Sequence, residues 1–350
     1  MCASIAVAMS GGVDSSTAAW LLQQQGHHLF GVTLNLFDHN SAEGADAARV
    51  AEQLGFSHHI LSLHDDFRTH VMDHFARSYE QGRTPNPCVE CNRHIKFGAL
   101  LQHTLGMGAE KLATGHYVRL SQDTGSGRWL LYKALHPEKD QSYVLYGLTQ
   151  HQLSHSLFPL GELSKDEIRT IAADNHLVSA HKRDSQDICF IPDGDYGAFI
   201  RRHTNNSYPS GCFLNEAGCI LGTHTGIVDY TIGQRRGLGV SSNQGRLYVK
   251  QVCPAENTVI LSDNQSLFSR TLIAQDVNWI ACASPSSPLR LHAKIRYRMT
   301  EQPCLVEQVD QDTLQVTFDQ PQRAITPGQA VVFYDGDCVV GGASITSRLP

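Results

Sequence analysis

Near its N-terminus the chain reads SIAVAMSGGVDSS (residues 4–16), which joins a short apolar run to a turn rich in glycine and serine. A helical pattern follows at 15–25, with alanine and leucine side chains on one face. The next stretches are an apolar run at 29–34, a helical pattern at 45–54, a short apolar run at 59–61 and a helical pattern at 66–79. Strands that alternate with helices in this way predict a doubly wound parallel sheet of the α/β class. Ligands of such sheets bind beyond the carboxyl ends of the strands.

The turn after the first strand has the properties of a phosphate-binding loop. Gly11 and Gly12 let the backbone turn sharply and come close to a ligand, and free N–H groups at the start of the helix attract an anion. Asp14 could hold a metal or orient a pyrophosphate group. A Walker A loop would end in Gly-Lys-Ser/Thr and a dinucleotide-binding loop would carry a third glycine, and this turn has neither feature. The alternative is a plain glycine turn with a serine cap on the helix.

The rest of the chain divides into regions of different character. A length of 350 residues predicts two or three domains. Further predicted elements are helices at 91–105, 150–157 and 165–175, a strand at 111–114 and a hairpin at 120–133. From about Gly211 the helical periodicity fades, and short β-branched runs predict a small barrel or sandwich. We place the domain boundaries near residues 205 and 268, which gives regions 1–205, 206–267 and 268–350.

Composition and charge narrow the class of protein. No apolar run is long enough to span a bilayer and no secretory signal opens the chain, so we expect a cytoplasmic protein without a membrane partner. Cytosolic reductants keep thiols reduced, so the ten cysteines are not expected to form a structural disulfide framework. A net charge of −6 does not by itself indicate nucleic-acid binding. Basic clusters in the second half favour RNA contacts, although a solvated surface explains them equally well; they are Arg201-Arg202, Arg235-Arg236 and Arg290 through Arg298.

Two cysteine sites differ from the rest. Cys88 and Cys91 follow two prolines, which discourage helix up to that point and place Cys91 near a helix N-terminus. The helix dipole and the positive charges of Arg93, His94 and Lys96 would lower the thiol pKa there, which predicts a reactive thiolate. Cys189 lies in a short apolar run flanked by polar residues, which suits either a loop reaching a pocket or an ordinary core cysteine.

With these motifs the chain resembles, from end to end, the bacterial tRNA-specific 2-thiouridylase family of the pyrophosphate-loop ATPases. The residues that carry the resemblance, besides 10–16, are Asn86-Pro87 with Cys91-Asn92, Thr114-Gly115-His116-Tyr117, Lys139-Asp140-Gln141-Ser142-Tyr143, Ser185-Gln186-Asp187-Ile188-Cys189-Phe190-Ile191, the stretch 226–237 and Arg296-Tyr297. Other pyrophosphate-loop enzymes share only the first of these motifs.

The resemblance implies an ATPase domain, a small central domain and a C-terminal β-barrel. It also implies ATP-dependent 2-thiolation of the wobble uridine (position 34) of tRNA, in which the C2 oxygen is adenylated, Cys189 carries persulfide sulfur and Cys91 resolves it into a Cys91–Cys189 disulfide. The implied ATP-binding residues are Ala8, Met9, Ser10, Gly11, Gly12, Val13, Asp14, Ser15, Leu34 and Gly115. The implied tRNA-binding residues are Asn86, Pro87, Cys88, His116, Lys139, Asp140, Gln141, Arg296, Tyr297 and Gln329. The implied partners are Mg²⁺ with ATP, a persulfide sulfur-carrier protein, and tRNAs that accept lysine, glutamate or glutamine.

The chain departs from the family pattern at one position. Some members have an aspartate, often given an acid–base role, where Cys88 stands. The substitution raises the hypothesis that Cys88, Cys91 and Cys189 hold a [4Fe–4S] cluster through three thiolates. A structural zinc at Cys88 and Cys91 is disfavoured, because no second Cys/His pair has matching spacing. Two functional alternatives are a pyrophosphate-loop ligase that adds nitrogen, which needs no cysteine pair, and an RNA-binding module that only senses ATP.

Overall fold

The N-terminal half is built on a five-stranded parallel sheet. The computed structural model describes residues 2–37, 41–180, 182, 188–241 and 245–349, without the side chains of 41–43. Its strands, in sheet order, are Ser57–Ser62, His28–Asn35, Ser4–Ala8, Lys111–Ala113 and Ser156–Leu157, each pairing parallel with its neighbour. The predicted doubly wound sheet is therefore confirmed.

Helices cover this sheet and extend beyond it. They are Val13–Gln24, Ser41–Leu54, a run of His64–Phe67, Arg68–Met72 and Asp73–Glu80, a second run of Pro87–Glu90, Cys91–Leu100 and Leu101–Gly106, and then Gln150–Ser154, Lys165–Asp174 and Tyr196–Thr204. The segments Arg68–Met72 and Cys91–Leu100 are π-helical. The prediction of a helix at 150–157 is wrong at its end, because the chain leaves the helix after Ser154 and adds the fifth strand of the sheet.

The order of the strands places one crevice at the centre of the sheet. The chain moves outward from Ser4–Ala8 through His28–Asn35 to Ser57–Ser62 and then returns to Lys111–Ala113 on the other side of the first strand. The loops after Ser4–Ala8 and Lys111–Ala113 therefore leave the same edge of the sheet side by side. In doubly wound sheets such a reversal point is the usual ligand site.

A smaller four-stranded sheet follows in the chain. Its strands, in sheet order, are Tyr248–Cys253, Thr258–Ser262, Gly211–Leu214 and Ile220–His224. Thr258–Ser262 and Gly211–Leu214 pair parallel, whereas the outer pairs are antiparallel. Phe213, Val249, Val259 and Leu261 form the apolar core beneath this sheet.

The C-terminal region is a closed antiparallel barrel of six strands. In order these are Phe268–Trp279, Leu314–Arg323, Gln302–Gln308, Leu289–Lys294, Ala330–Asp335 and Cys338–Leu349, and the first and last also pair with each other. The expected β-barrel is thus confirmed. The predicted hairpin exists as Val118–Gln122 and Trp129–Lys133, but it extends the barrel sheet through pairs such as Val339 with Leu131, so a segment of the first half is joined to the last strand. Among the described residues, no helix combines the length and apolar character needed to cross a bilayer.

Candidate functional site

The loop after the first strand has the conformation of an anion site. Gly11 has a φ of 68°, in the left-handed region that glycine adopts without strain. The helix begins at Val13 with Gly12 as its N-cap, and no side chain of the described residues caps it. The N–H groups of the first turn are therefore available to a ligand.

Serine hydroxyls fix the shape of this loop from within. The Ser15 hydroxyl accepts a hydrogen bond from the Ser10 N–H at 3.2 Å and donates one to the Gly12 carbonyl at 3.2 Å. The Ser16 hydroxyl also donates to the Gly12 carbonyl, at 2.9 Å. The loop is held in its turn before any ligand arrives, so little conformational entropy opposes binding.

Two other predicted ATP-binding residues lie on the neighbouring loop and strand. A Cβ added to Gly115 would lie 2.9 Å from the Ser15 nitrogen, so only glycine permits this approach. Leu34 follows Thr33, whose hydroxyl donates to the Met9 carbonyl at 2.7 Å. The structure therefore brings the residues 8–15, Leu34 and Gly115 to one edge of the sheet, and their role in ATP binding stays a prediction.

Asp14 has two partners that the sequence did not indicate. One carboxylate oxygen, Oδ1, accepts a hydrogen bond from the Tyr117 hydroxyl at 2.6 Å and lies 2.7 Å from the Lys165 Nζ. Lys165 is buried, with 8% of its surface exposed, and it is the first residue of a helix. A cation is disfavoured at a helix N-terminus, so this placement is a signal that Lys165 serves a specific partner.

The three cysteines singled out in the sequence lie near enough to one another for their thiols to interact electrostatically. The pKa of the Cys189 thiol is raised, first by burial and then by the nearby Cys91 and Cys88. The ammonium group of Lys96 acts on all three thiols in the opposite sense. Lys96 follows Cys91 by five residues within the π-helical segment, where residues i and i+5 are joined by a backbone hydrogen bond and lie on one face.

The predicted low pKa of Cys91 is wrong. Burial raises the pKa of the Cys91 thiol to about 11, and Lys96 offsets only part of this effect. The helix starts at Pro87, with the Asn86 side chain accepting from the Cys88 N–H at 3.1 Å. Cys91 therefore lies a full turn inside the helix, where the dipole acts weakly and the loss of solvation dominates.

Two of the three cations expected near Cys91 lie beside acidic side chains instead. Arg93 makes a bidentate ion pair with Asp276 of the barrel, at 2.5 and 3.1 Å. The His94 ring nitrogen lies 3.4 Å from Glu90. Of the three expected cations, Lys96 is the one near the thiols. It lies on the same side of the helix as Cys91, whereas Arg93 and His94 lie on the opposite side.

Cys189 is placed by the aromatic residue that follows it. The ring of Phe190 packs at 5.6 Å from Phe67, 5.6 Å from Phe75 and 5.0 Å from Phe199. Cys189 itself remains exposed and is a free thiol, as are Cys88 and Cys91. The preceding motif residues Ser185, Gln186 and Asp187 lie outside the described residues. The Phe190 anchor therefore fixes Cys189 at the thiol cluster.

Tyr297, a predicted tRNA-binding residue, lies near this cluster and contacts the loop 139–141. The Tyr297 hydroxyl donates to the Asp140 carbonyl at 3.1 Å, and the side chain is 40% exposed. The Asp140 carboxylate accepts hydrogen bonds from the N–H groups of Ala134 and Ser142, so it shapes its own loop, and Lys139 lies in the turn before it. The Gln141 side chain accepts from the Tyr117 N–H at 3.0 Å.

The remaining predicted tRNA-binding residues are partly internal. His116 is buried and hydrogen-bonds Thr114 at 2.8 Å, and burial lowers its pKa well below the usual value. The Gln329 amide donates to the Thr84 carbonyl at 2.8 Å, which joins the barrel to the proline loop before Asn86 and the buried Pro87. Arg296 donates to the Arg323 carbonyl. Their contacts with tRNA stay predictions.

The thiols do not form a ready metal site. Within the part of the chain that the structure describes, no group of three or more histidine, cysteine or acidic side chains is arranged to hold a metal ion. Cys88, Cys91 and Cys189 are near one another but do not present the convergent thiolates that a [4Fe–4S] cluster needs. The cluster therefore remains a hypothesis drawn from the sequence.

Comparison with known families covers nearly the whole chain. Residues 3–193 match the model of the tRNA methyl transferase HUP domain, which is more than half of the chain. Residues 197–263 match the tRNA methyl transferase PRC-barrel domain, and residues 269–345 match the Aminomethyltransferase beta-barrel domain.

Curated relatives are similar over almost their full length. The tRNA-specific 2-thiouridylase MnmA of Clostridioides difficile is 44% identical over 356 residues, covering 99% of this chain and 98% of that protein. The protein of the same name from Heliobacterium modesticaldum is 46% identical, covering 99% and 93%. Among solved structures, the U34-tRNA thiolase NcsA of Methanococcus maripaludis with its [4Fe–4S] cluster aligns with 58% of this chain and 72% of its own, at 19% identity and a TM-score of 0.37. A likeness of that degree carries no argument about function.

Proposed function

Because the chain belongs to the tRNA-specific 2-thiouridylase family, we propose that it catalyses ATP-dependent 2-thiolation of the wobble uridine, position 34, of tRNA. One observation of the structure carries the proposal: the loop after Lys111–Ala113 contacts the phosphate loop through Gly115 and lies near Lys96 of the thiol cluster through His116. Gly115 packs on the first turn of the phosphate helix. The next residue, His116, is close enough to Lys96 for that cation to lower its pKa, and Lys96 also faces all three thiols.

The phosphate loop performs the first half of the reaction. The C2 oxygen of the uridine attacks the α phosphorus of ATP, and the bond between the α phosphorus and pyrophosphate breaks. The N–H groups at Val13 and beyond bind phosphate oxygens, and Asp14, held by Tyr117 and Lys165, faces the same anion. Mg²⁺ supplied with ATP would offset the charge of the departing pyrophosphate. Adenylation turns the C2 oxygen, otherwise a poor leaving group, into part of AMP.

The thiol cluster performs the second half. The terminal sulfur of a Cys189 persulfide attacks C2, and AMP leaves with the uridine oxygen. The Cys91 thiolate then attacks the Cys189 sulfur, the bond between that sulfur and the transferred sulfur breaks, and its electron pair forms the thiocarbonyl. Two cysteine thiols are oxidised to a disulfide while the transferred sulfur is reduced, and a cellular thiol restores the free pair. The exposed Cys189 can receive sulfur from a carrier protein, and the half-buried Cys91 acts within the site.

Burial protects Cys91 from side reactions. A protonated Cys91 does not react with stray electrophiles or oxidants, because the thiolate is the nucleophile. Its pKa of about 11 keeps it protonated at neutral pH. Lys96 is the charged group that favours ionisation of the Cys91 thiol. The negative charges of bound nucleic acid and AMP do not favour this ionisation. The resolving step therefore depends on Lys96.

The wobble base reaches the thiols from the side of Asn86, Pro87 and Cys88, unstacked from its loop as in other enzymes that modify a base. The substrates are tRNAs for lysine, glutamate and glutamine, the sulfur donor is a persulfide carrier protein, and the location is the cytoplasm. No step is assigned to a [4Fe–4S] cluster, because the described thiols do not converge as its ligands.

The test is nucleoside analysis after reaction. Purified protein is incubated with ATP, Mg²⁺, a persulfide donor and unmodified tRNA whose wobble base is uridine, with Cys189→Ala alongside. We expect 2-thiouridine from the parent protein, and from the variant pyrophosphate release without 2-thiouridine. A product that carries nitrogen at C2, or 2-thiouridine from Cys189→Ala at the parent rate, would overturn the proposal.

A further inference from the structure

The arginines of the second half fall into two groups once their partners are known. Arg201 makes a bidentate ion pair with Asp229 at 2.7 and 2.8 Å, and Arg290 does the same with Asp319 at 2.9 and 2.8 Å. Each pair neutralises one arginine of a basic cluster seen in the sequence, Arg201 of the first cluster and Arg290 of the third. A phosphate would have to compete with a carboxylate for either guanidinium.

Arg235 and Arg236 belong to the other group. Both are exposed, and in the described portion of the chain neither guanidinium has a hydrogen bond or an acidic partner within ion-pair distance. Arg246 is also exposed and, among the described residues, has no such partner either. Unpaired guanidinium groups at a surface are available to an external anion.

The loop that carries Arg235 and Arg236 is rigid. The Thr231 N–H donates to the Gln234 side chain at 2.9 Å, and the same side chain donates to the Arg236 carbonyl at 3.0 Å. Gly233 has a φ of 87° and its N–H donates to the Val249 carbonyl at 2.8 Å. These hydrogen bonds fix the backbone from which the two arginines project, so less backbone entropy is lost when a ligand binds.

The same loop touches the barrel beside another arginine. A Cβ at Gly233 would lie 3.5 Å from the Arg323 guanidinium, so the two segments are in contact. Arg323 lies over the Tyr248 ring at 5.0 Å and donates to the neutral Asn264 side chain at 2.8 Å. Its charge is therefore not neutralised by either contact. We call Arg235, Arg236, Arg246 and Arg323 the basic ridge.

The basic ridge leads to the thiol cluster through two neighbouring residues. Arg296 donates to the Arg323 carbonyl. The adjacent Tyr297 donates to the Asp140 carbonyl at 3.1 Å and lies near enough to Cys88 for the two groups to interact electrostatically. A substrate with its reacting base at the thiols would therefore extend over the ridge.

We propose that the basic ridge binds the sugar-phosphate backbone of the tRNA substrate and sets its register, so that one nucleotide reaches the thiols. The inference rests on the proposed function. Phosphate oxygens accept bidentate hydrogen bonds from arginine, and cations that no carboxylate neutralises, spread over two domains, suit an extended polyanion. An acidic sulfur-carrier protein is the competing occupant, and the test separates the two.

The test measures the salt dependence of tRNA affinity. The variant Arg235→Ala/Arg236→Ala is compared with the parent and with Arg49→Ala/Arg290→Ala, which removes the same formal charge from two arginines that are paired with Asp46 and Asp319. Removing one arginine from a phosphate lowers the slope of log Kd against log salt by about one, so the ridge variant should show a slope smaller by about two and bind at least about tenfold more weakly at about 0.1 M salt. The control variant should keep the parent slope.

The tRNA dependence of thiolation separates the ridge from the proposed function. We expect the ridge variant to need about tenfold more tRNA than the parent protein for half-maximal 2-thiouridine formation, because its arginines hold the substrate and touch neither ATP nor the thiols. An unchanged salt slope, or equal losses of affinity in the ridge and control variants, would overturn the ridge while leaving the enzyme's reaction intact. Unchanged tRNA binding with slower sulfur uptake from an acidic carrier would assign the ridge to that carrier. A parent protein that binds no tRNA would overturn both proposals.

Discussion

The two ends of the site are built in opposite ways. The phosphate loop consists of contiguous residues 9–16, and its Ser15 and Ser16 hydroxyls bond within the loop. The thiol cluster brings Cys88 and Cys91 near Cys189, about a hundred residues later in the chain, and burial raises the pKa of the Cys91 thiol to about 11. The first end is ready for its ligand as folded, whereas the second needs a proton to leave before it reacts. Local sequence suffices to encode an anion site, but the reactivity of a thiol is set by what packs around it.

The substitution with the largest expected effect distinguishes the thiol cluster from the phosphate loop. Cys91→Ser should lower 2-thiouridine formation by about 10³-fold or more, because no thiolate resolves the persulfide. Pyrophosphate release in the presence of tRNA should stay near the parent rate, because the phosphate loop is untouched. Both products are measured in the same quenched reaction. Cys219→Ser, at an exposed cysteine between the strands Gly211–Leu214 and Ile220–His224, is the matched control. If Cys91→Ser made 2-thiouridine at the parent rate, Cys88 or an external thiol would be the resolving group.

A substitution beside the phosphate loop should slow both halves of the reaction together. In Gly115→Ala the new Cβ would lie 2.9 Å from the Ser15 nitrogen and 3.0 Å from the Asp14 carbonyl carbon, both backbone atoms that cannot move aside cheaply. We expect pyrophosphate release and thiolation to fall together by about 10²-fold, and the free energy of unfolding to fall by about 1–3 kcal/mol. The measurements are steady-state rates and urea unfolding.

Gly106→Ala provides the control for that substitution. A Cβ at Gly106, the last residue of Leu101–Gly106, meets no atom within 4 Å. It should leave both rates and the stability unchanged. Parent rates in Gly115→Ala would mean that the loop after Lys111–Ala113 takes no part in the phosphate site.

The last effect concerns pH and sharpens the difference between the phosphate loop and the thiol cluster. Below a pKa of about 11 for Cys91, the thiolate fraction rises about tenfold per pH unit. Alkylation of Cys91 by iodoacetamide, followed by peptide mass spectrometry, should therefore accelerate about 100-fold between pH 7 and pH 9. A rate that is already at its plateau at pH 7 would contradict the effect of burial and restore the low pKa expected from the helix dipole.

Much of the fold could be predicted from short-range patterns. The alternation of apolar runs and helical stretches predicted the parallel sheet, and evenly spaced β-branched runs predicted a barrel or sandwich. The turn at 10–16 predicted an anion site because glycine, serine and the helix start act over a few residues. Elements set by distant pairing were missed. Ser156–Leu157 is too short to show a strand period, and it becomes a strand only by pairing with Lys111–Ala113.

The site was predicted less fully, for reasons of tertiary packing. The partners of Asp14 are 103 and 151 residues away, at Tyr117 and Lys165. The pKa of Cys91 was mispredicted because the dipole and nearby cations are visible in the sequence and burial is not. Likewise, the basic clusters could not be ranked until Arg201 and Arg290 were seen to pair with Asp229 and Asp319.

The central claim is that the phosphate loop activates the very oxygen that the thiol cluster replaces. Tracing that oxygen tests it most directly. A tRNA labelled with ¹⁸O at C2 of the wobble uridine is taken through one turnover with ATP and the persulfide-loaded protein, and the AMP is analysed by mass spectrometry. The account predicts one ¹⁸O in the phosphate of AMP for each 2-thiouridine formed. Unlabelled AMP accompanying 2-thiouridine would contradict it, because sulfur would then enter without adenylation of the C2 oxygen.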